Sequence, residues 1–244
     1  MKKLVGSLIF GGLVLTGCGN AADLEENWTE YIQEGAENLE SYSSETVIGV
    51  KVALGPDLLT DEDEQSIDIS IVGDLEKGYS VEENLEGLRQ EIFFEGNDFY
   101  LLENDTWTHF PDSGPVEYAP WYPNIVDSLV ELDHLIEASH AGDTLVLSYE
   151  GTGLEVFNAF EEEFSLSMGG VEEENVTITL EATMDDSTYY LQELSIDIMG
   201  QETIEDIKED MEVGSVNIIV DVEYDDLDDV DLTDIEEDIA NDVE

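Results

Sequence analysis

Histidine and carboxylate side chains are the groups in this sequence that could bind a metal or transfer protons. The three histidines are His109, His134 and His140. His134 follows Glu131 by three positions, and on a helix this spacing places both side chains on one face, as in di-iron bundles. Such bundles need further carboxylates on facing helices, and one pair among 63 acidic residues is expected by chance. The sequence therefore predicts no metal site at this pair.

Runs of acidic residues raise calcium binding as a second chemistry. The densest runs lie at 61–64 and 225–231. Neither has the spacing of a calcium loop, which needs a central glycine and a bidentate glutamate at its twelfth position. Nonspecific attraction of cations is expected. Selective calcium binding is the alternative, and calorimetry with calcium in concentrated sodium chloride would distinguish the two.

The sequence contains none of the short catalytic motifs that carry a known mechanism. We find no His-Glu-x-x-His zinc motif, no glycine-rich phosphate loop and no Gly-x-Ser-x-Gly elbow. Catalytic triads also assemble from distant residues, but no constellation here indicates one. We therefore predict that the protein is not an enzyme and needs no cofactor.

Cys18 is the single cysteine, and its thiol stands directly after a secretory-type N-terminus. Two lysines at positions 2 and 3 precede a run of apolar and small residues over 4–15, which is typical of a signal peptide. The run is shorter than the roughly 20 residues of a spanning helix. The segment Leu15-Thr16-Gly17-Cys18 resembles the bacterial lipobox.

The lipobox resemblance implies cleavage before Cys18, a thioether-linked diacylglycerol and an N-acyl group, palmitate included. It predicts a signal peptide over 1–17, a lipidated tether over 18–22, and anchoring on the extracytoplasmic face of the cell membrane. The alternative is an ordinary signal peptide with a chance cysteine, which mass spectrometry of the mature N-terminus would reveal. A single cysteine also leaves no intramolecular disulfide.

The charge of the chain is strongly acidic, with 63 acidic residues against six basic ones and a net charge of −57. Loss of 1–17 leaves four basic residues, Lys51, Lys77, Arg89 and Lys208. Nucleic acid is excluded as a partner by repulsion. The acids are spread along the chain, which favours adaptation to a salty or alkaline exterior over a specific cation site. This halophilic interpretation predicts loss of compact structure at low salt.

The hydrophobic pattern predicts one domain over 23–234, followed by an acidic tail over 235–244 that ends in one helical turn. Apolar residues make up 41% of the chain, which is enough for a core. Helical spacing predicts helices over 23–40, 124–139 and 154–164. Alternating stretches predict strands over 43–54, 65–75, 88–95, 99–103, 106–110, 143–150, 175–183, 189–199 and 215–224, while 201–212 is ambiguous. Alternation indicates an antiparallel sheet with one buried face, hence the α+β class.

Four local features carry a resemblance to a known family. They are the helix-to-strand segment 36–43, the strand pair around Phe94–Tyr100 with Trp107, the strand 190–194, and the closing segment 224–232. The chain resembles an uncharacterised lipoprotein family of Gram-positive bacteria, itself similar to the LolA/LppX-type fold. The resemblance implies a curved antiparallel sheet, an open half-barrel, with helices packed on its concave face and lipids or lipoproteins bound between them. The family's closing segment often ends in proline, whereas Asp234-Ile235 stands here, which leaves the C-terminal boundary open.

An aromatic segment is the strongest candidate for ligand contact. Trp107, Phe110, Tyr118, Trp121 and Tyr122 lie within 16 residues. They are predicted to line the mouth of an apolar cleft, or alternatively to cap the sheet edge and anchor the following helix. Double substitution of Trp121 and Tyr122 separates these roles, because core residues would unfold the protein.

The predicted function is accordingly a membrane-anchored, non-catalytic lipoprotein that holds a lipid or another apolar ligand in the half-barrel. The alternative is an interaction or sensory envelope lipoprotein with a filled core and no small-molecule ligand. The sequence does not identify a protein partner.

Overall fold

The computed structural model describes residues 18–54, 64–74, 77–84, 86–111, 120–167, 173–204 and 212–243. The predicted signal peptide, Tyr118 and the acidic positions 61–63 lie outside these ranges. A membrane-spanning helix would need more length and more apolar character than any helix within these ranges has.

Eleven strands within the described ranges form one sheet in which all neighbours are antiparallel. In chain order they are β1 Ser41–Leu54, β2 Glu64–Asp74, β3 Lys77–Glu83, β4 Arg89–Glu95, β5 Asp98–Glu103, β6 Thr106–Phe110, β7 Glu137–Ala141, β8 Thr144–Thr152, β9 Val176–Asp185, β10 Leu191–Ile204 and β11 Glu212–Asp225. The spatial order is β6-β5-β4-β3-β2-β1-β11-β10-β9-β8-β7. The sheet is open, with β6 and β7 at its edges. The predicted α+β class with an open antiparallel sheet is confirmed.

Five α-helices accompany the sheet in the described ranges. They are α1 Cys18–Glu26, α2 Trp28–Asn38, α3 Tyr122–Glu131, α4 Glu155–Phe160 and α5 Thr233–Asp242. The first four contribute side chains such as Leu24, Ile32, Leu129 and Phe160 to the main core cluster, together with one face of the sheet. We call that face the inner face and α1–α4 the helix layer.

The inner face is set by strict alternation along the strands. In β9, Val176, Ile178 and Leu180 are buried while the residues between them are exposed. The register carries this alternation across the sheet, so that Thr46 of β1 stands opposite Val222 and one continuous row of buried side chains results. Because partners in register share a face, every inner-face position can be assigned from the pairing.

The outer face carries a second, smaller core at the β3–β6 end of the sheet. Helix α5 places Ile239 there, and Leu232 precedes it, against Phe93 and Trp107. The segment 235–244, predicted as an acidic tail, therefore lies largely in a helix of ten residues with a buried side chain, rather than in one turn.

The predicted helix over 124–139 is wrong beyond Glu131. The backbone tightens where Leu132 N–H bonds the Leu129 carbonyl at 3.1 Å, and the chain then enters strand β7. Gly142, with φ of +74°, makes the hairpin turn into β8. Ile136 is still buried, so its spacing satisfies a helix pattern although it precedes a strand.

The N-terminal helix differs from its prediction in two ways. It is divided at Asn27, whose side-chain amide bonds the Asp23 carbonyl at 3.1 Å. It also begins at Cys18, so the stretch 18–22, predicted as a tether, is helical. Glu25 of α1 accepts a hydrogen bond from His140 N–H of edge strand β7 at 2.9 Å, which fixes this helix to the sheet.

Candidate ligand-binding face

Three buried tyrosines fix the start of α3 to the inner face. The ring of Tyr122 lies 5.5 Å from that of Tyr42 and 4.9 Å from that of Tyr224. Tyr122 N–H donates to the Tyr42 hydroxyl at 3.3 Å, and Leu191 N–H donates to the Tyr122 hydroxyl at 2.8 Å. These bonds join α3 to β1 and to β10. Burial raises the pKa of both Tyr42 and Tyr122 well above its usual value.

Two glycines on the inner face leave room for the Phe94 ring between Tyr42 and the strands that lead to β6. The register places Gly73 opposite Tyr42, Gly78 opposite Gly73, and Phe94 opposite Gly78. A Cβ atom on Gly78 would lie 2.5 Å from the Phe94 ring, so only glycine leaves room for it. The Phe94 ring also lies 5.7 Å from the Trp121 ring.

Beyond Phe94, the inner face continues as an apolar strip on β4, β5 and β6. The strip consists of Ile92, Phe99, Leu101 and Phe110, which the register places side by side on this face. The first three are half-buried, and Phe110 is 36% exposed. Neither core cluster of the described residues includes them. We call these four residues the inner apolar strip.

A row of buried hydroxyls lies on the inner face of the two central strands. Ser44 stands directly opposite Tyr224, and Thr46 follows two positions along the same face. Ser44 is 3% exposed, Tyr224 is 5% exposed and Thr46 is 1% exposed. Within the described part of the chain, none of the three hydroxyl oxygens has a hydrogen-bond partner. We call them the hydroxyl row.

Unpartnered buried hydroxyls are costly. Each costs about 1–3 kcal/mol relative to a satisfied or solvated group. Burial, then the neighbouring tyrosines and Glu163, hold the pKa of Tyr224 well above its usual range, so it stays protonated. The hydroxyl row therefore offers neutral groups that can both donate and accept.

Lysine and arginine side chains within the described ranges belong to the outer face. Lys77 forms an ion pair with Glu236 of α5, and Arg89 Nε lies 2.8 Å from Glu91 Oε1. Lys51 stands opposite Asn217. Val216 and Ile218, on either side of Asn217, belong to the inner face, so Lys51 lies on the outer face. The described inner face therefore carries no lysine or arginine, and its charged or amide residues on β3–β5, Glu82, Gln90 and Glu103, are exposed at its margin.

The predicted aromatic residues are divided between the two faces. Trp121 and Tyr122 join the main core, and Phe110 belongs to the inner apolar strip. Trp107 lies on the outer face, where it lines a cleft of about 360 Å³ beneath α5 with several carboxylates. The sequence already indicated this division, because Trp107 and Phe110 are three positions apart in one strand and such positions point to opposite faces.

His134 and Asp228, which lie in the two groups of residues singled out in the sequence, have structural partners. His134 Nε2 lies 2.9 Å from Glu155 Oε1 of α4, a residue that the spacing of Glu131 and His134 did not indicate. Asp228 accepts hydrogen bonds from Glu40 N–H at 2.7 Å and from the Tyr190 hydroxyl at 2.6 Å. Across the described ranges, no three histidine, cysteine or acidic side chains are grouped as a metal site.

Three crystal structures are similar to this chain over most of its length. LprF from Mycobacterium bovis is 14% identical with a TM-score of 0.39, covering 82% of this chain and 91% of its own. The Mycobacterium tuberculosis lipoprotein LppX is 11% identical with a TM-score of 0.35, covering 82% and 93%. A LolA superfamily protein from Nitrosomonas europaea is 12% identical with a TM-score of 0.26, covering 83% and 91%.

No family model and no curated protein matches the sequence. Two of these structures, the LppX lipoprotein and the LolA superfamily protein, carry the names of the fold that the sequence resembles. The class of this chain, an α+β protein built on one open antiparallel sheet, rests on its own strand order.

Proposed function

We propose that this protein is a non-catalytic extracytoplasmic lipoprotein, held at the membrane by lipid on Cys18, that shelters an apolar molecule on the inner face of its sheet. The inner apolar strip is the observation that carries the proposal. Large apolar side chains lie together there, half-buried, next to the core and outside both clusters. Removal of such surface from water stabilises a complex by about 25 cal/mol per Å².

The position of the strip defines where the ligand lies. Beneath the helix layer the inner face is filled, since Ile32, Leu129 and Phe160 are each 0% exposed. The apolar part of the ligand therefore occupies the β4–β6 part of the face, next to Phe94 and Trp121. Of the aromatic residues predicted from the sequence, the proposal retains Phe110 and Trp121 as ligand contacts, while Tyr122 is a core residue.

The filled core beneath the helix layer favours a second candidate, an interaction or sensory lipoprotein without a small-molecule ligand. One measurement separates the two functions. The soluble domain, purified without its anchor and extracted with organic solvent, yields stoichiometric lipid under the first proposal and none under the second.

The outer face supports the proposal of a salty exterior. Glu223 of β11 stands directly opposite both Glu45 of β1 and Glu193 of β10, and all three are exposed. Like charges directly opposite in a sheet are destabilising. A high salt concentration screens this repulsion over a few ångströms.

Substitution of Cys18 tests the anchor. We expect Cys18→Ser to release the protein from the membrane fraction, because the thiol is the atom that carries the acyl chains and each buried methylene contributes about 0.8 kcal/mol. Labelled palmitate should appear on the wild-type protein and be absent from the variant. Unchanged membrane retention of the variant would contradict lipid anchoring and would leave the ligand proposal standing.

Substitution of Leu101 tests the ligand. We expect Leu101→Gln to weaken binding of the uncharged fluorescent probe N-phenyl-1-naphthylamine by about tenfold, which corresponds to the loss of one well-buried apolar contact. Met199→Gln is the matched control, since Met199 lies on the outer face and is 37% exposed. Unfolding transitions of both variants are recorded alongside. Equal effects of the two substitutions on probe binding would exclude the inner apolar strip as the site.

A further inference from the structure

The hydroxyl row and the inner apolar strip are parts of one line across the sheet. Starting at Tyr224, the register runs through Ser44, then Ile71 and Ser80, to Ile92 and Leu101. Ser44 and Leu101 are four strand spacings apart, which is about 19 Å at about 4.8 Å for each spacing. One end of the line is polar and deeply buried, and the other end is apolar and half-buried.

We propose that Ser44, Thr46 and Tyr224 form a polar subsite for an uncharged, hydrogen-bonding head group of an amphipathic ligand whose apolar chain lies on the inner apolar strip. This inference rests on the proposed function and specifies the chemical class of its ligand, a long-chain alcohol or ester. Three neighbouring hydroxyls without partners, each more than nine-tenths buried, are the observation that points to a polar ligand atom.

The head group is expected to be uncharged because the hydroxyl row is buried away from water and itself offers only neutral groups. An anion would find no lysine or arginine on the described inner face. It would also be repelled by the Glu163 carboxylate, whose negative charge helps to raise the pKa of Tyr224. A cation would lose its hydration among buried side chains, and the nearest carboxylate, Glu163, already accepts a hydrogen bond from the Asn124 amide at 3.1 Å. An alcohol or ester loses far less and gains hydrogen bonds that these hydroxyls otherwise lack.

Entry of the head group requires the start of α3 to move away from β1. Tyr122 and Trp121 hold this point through their ring contacts with Tyr42. While α3 packs on the sheet, the three hydroxyls of the hydroxyl row have no hydrogen-bond partner within the described ranges. When the start of α3 moves away, they can bond to water or to the ligand. The unpaired hydroxyls thus lower the cost of opening at the place where the head group enters.

Three ligands with the same chain and different heads test the inference: oleyl alcohol, oleate and oleylamine. Their affinities are measured on the soluble domain in concentrated salt by displacement of N-phenyl-1-naphthylamine. We expect oleyl alcohol to bind at least about tenfold more tightly than the other two, as one to two additional hydrogen bonds would give. Equal binding of oleate or oleylamine would overturn the inference.

The double variant Thr46→Val with Tyr224→Phe removes two of the three hydroxyls. We expect about a tenfold loss of affinity for oleyl alcohol and unchanged affinity for the probe, which has no such head group. The unliganded variant should unfold at the same or a higher temperature, because the groups removed have no partners. Thr179→Val is the matched control, since Thr179 is exposed on the outer face of β9.

The two proposals fail in distinguishable ways. Absence of any probe binding to the wild-type protein would contradict the proposed function itself. Probe binding together with unchanged alcohol affinity in the double variant would refute the polar subsite alone.

Discussion

Above about pH 10, the free energy of unfolding is expected to fall as the pH rises, by up to about 1.4 kcal/mol per pH unit for each phenol that burial keeps protonated. Burial raises the pKa of Tyr42, Tyr122 and Tyr224 well above the ordinary value of 10.0. In the unfolded chain these phenols lose their protons near that ordinary value, while in the folded protein they keep them. Each retained proton then costs about 1.4 kcal/mol of stability per pH unit.

The sign of this effect follows from the raised pKa values. The folded state binds more protons than the unfolded state above pH 10, so stability is complete below that pH and is lost as the pH rises. Denaturant titrations at several pH values and constant high salt measure the slope, and tyrosinate absorbance reports ionisation of the phenols. Tyr224→Phe should make the slope shallower, because one buried phenol with a raised pKa is removed. Ionisation of the buried tyrosines in the folded protein near pH 10 would contradict this prediction.

Truncation of Tyr122 is the second substitution with a large expected effect. We expect Tyr122→Ala to lower the free energy of unfolding by about 3–5 kcal/mol, the usual cost of deleting a buried aromatic ring. Tyr122 is 0% exposed, and its ring contacts those of Tyr42 and Tyr224. The double substitution of Trp121 and Tyr122 is therefore expected to unfold the protein, which makes Leu101 the better test of ligand binding.

Two tyrosine-to-phenylalanine variants separate the ring from the hydroxyl. We expect Tyr122→Phe to cost about 1–3 kcal/mol, because the buried N–H of Leu191 loses its acceptor. Tyr224→Phe is the matched control, since its hydroxyl has no partner within the described ranges, and it should cost nothing or stabilise the protein. Equal losses in the two variants, measured by denaturant unfolding, would show that the hydrogen-bond assignment is incorrect.

Strand periodicity is the part of the fold that the sequence reveals most reliably. The alternation of Ile178 and Leu180 with threonines in β9 predicts a strand with one buried face, and the structure has it. Likewise, Val156, Phe157 and Phe160 predict the short helix α4, which buries all three. Such patterns are readable because the period of two or 3.6 residues is a local property of the backbone.

Elements without a clean local pattern escaped prediction. Strand β3 contains glycine at its inner position Gly78, where the Phe94 ring supplies the missing apolar bulk from the next strand. Strand β7 follows Leu135 and Ile136, whose spacing suits a helix equally well. Helix α5 is acidic over most of its surface and has one buried side chain, Ile239. In each case the deciding contact comes from another element.

The candidate site shows the same division. The sequence alone determined the amphipathic strands, the acidic character of the surface and the aromatic residues near Phe110 and Trp121, since each depends on residue type and short-range spacing. Only the tertiary structure decided that β1 pairs with β11, which places Ser44 opposite Tyr224 across 180 positions of chain. A serine or threonine in an alternating strand is ordinarily assigned to the solvent side. Its burial here depends on long-range strand pairing and on the helix layer above it, and neither leaves a local pattern.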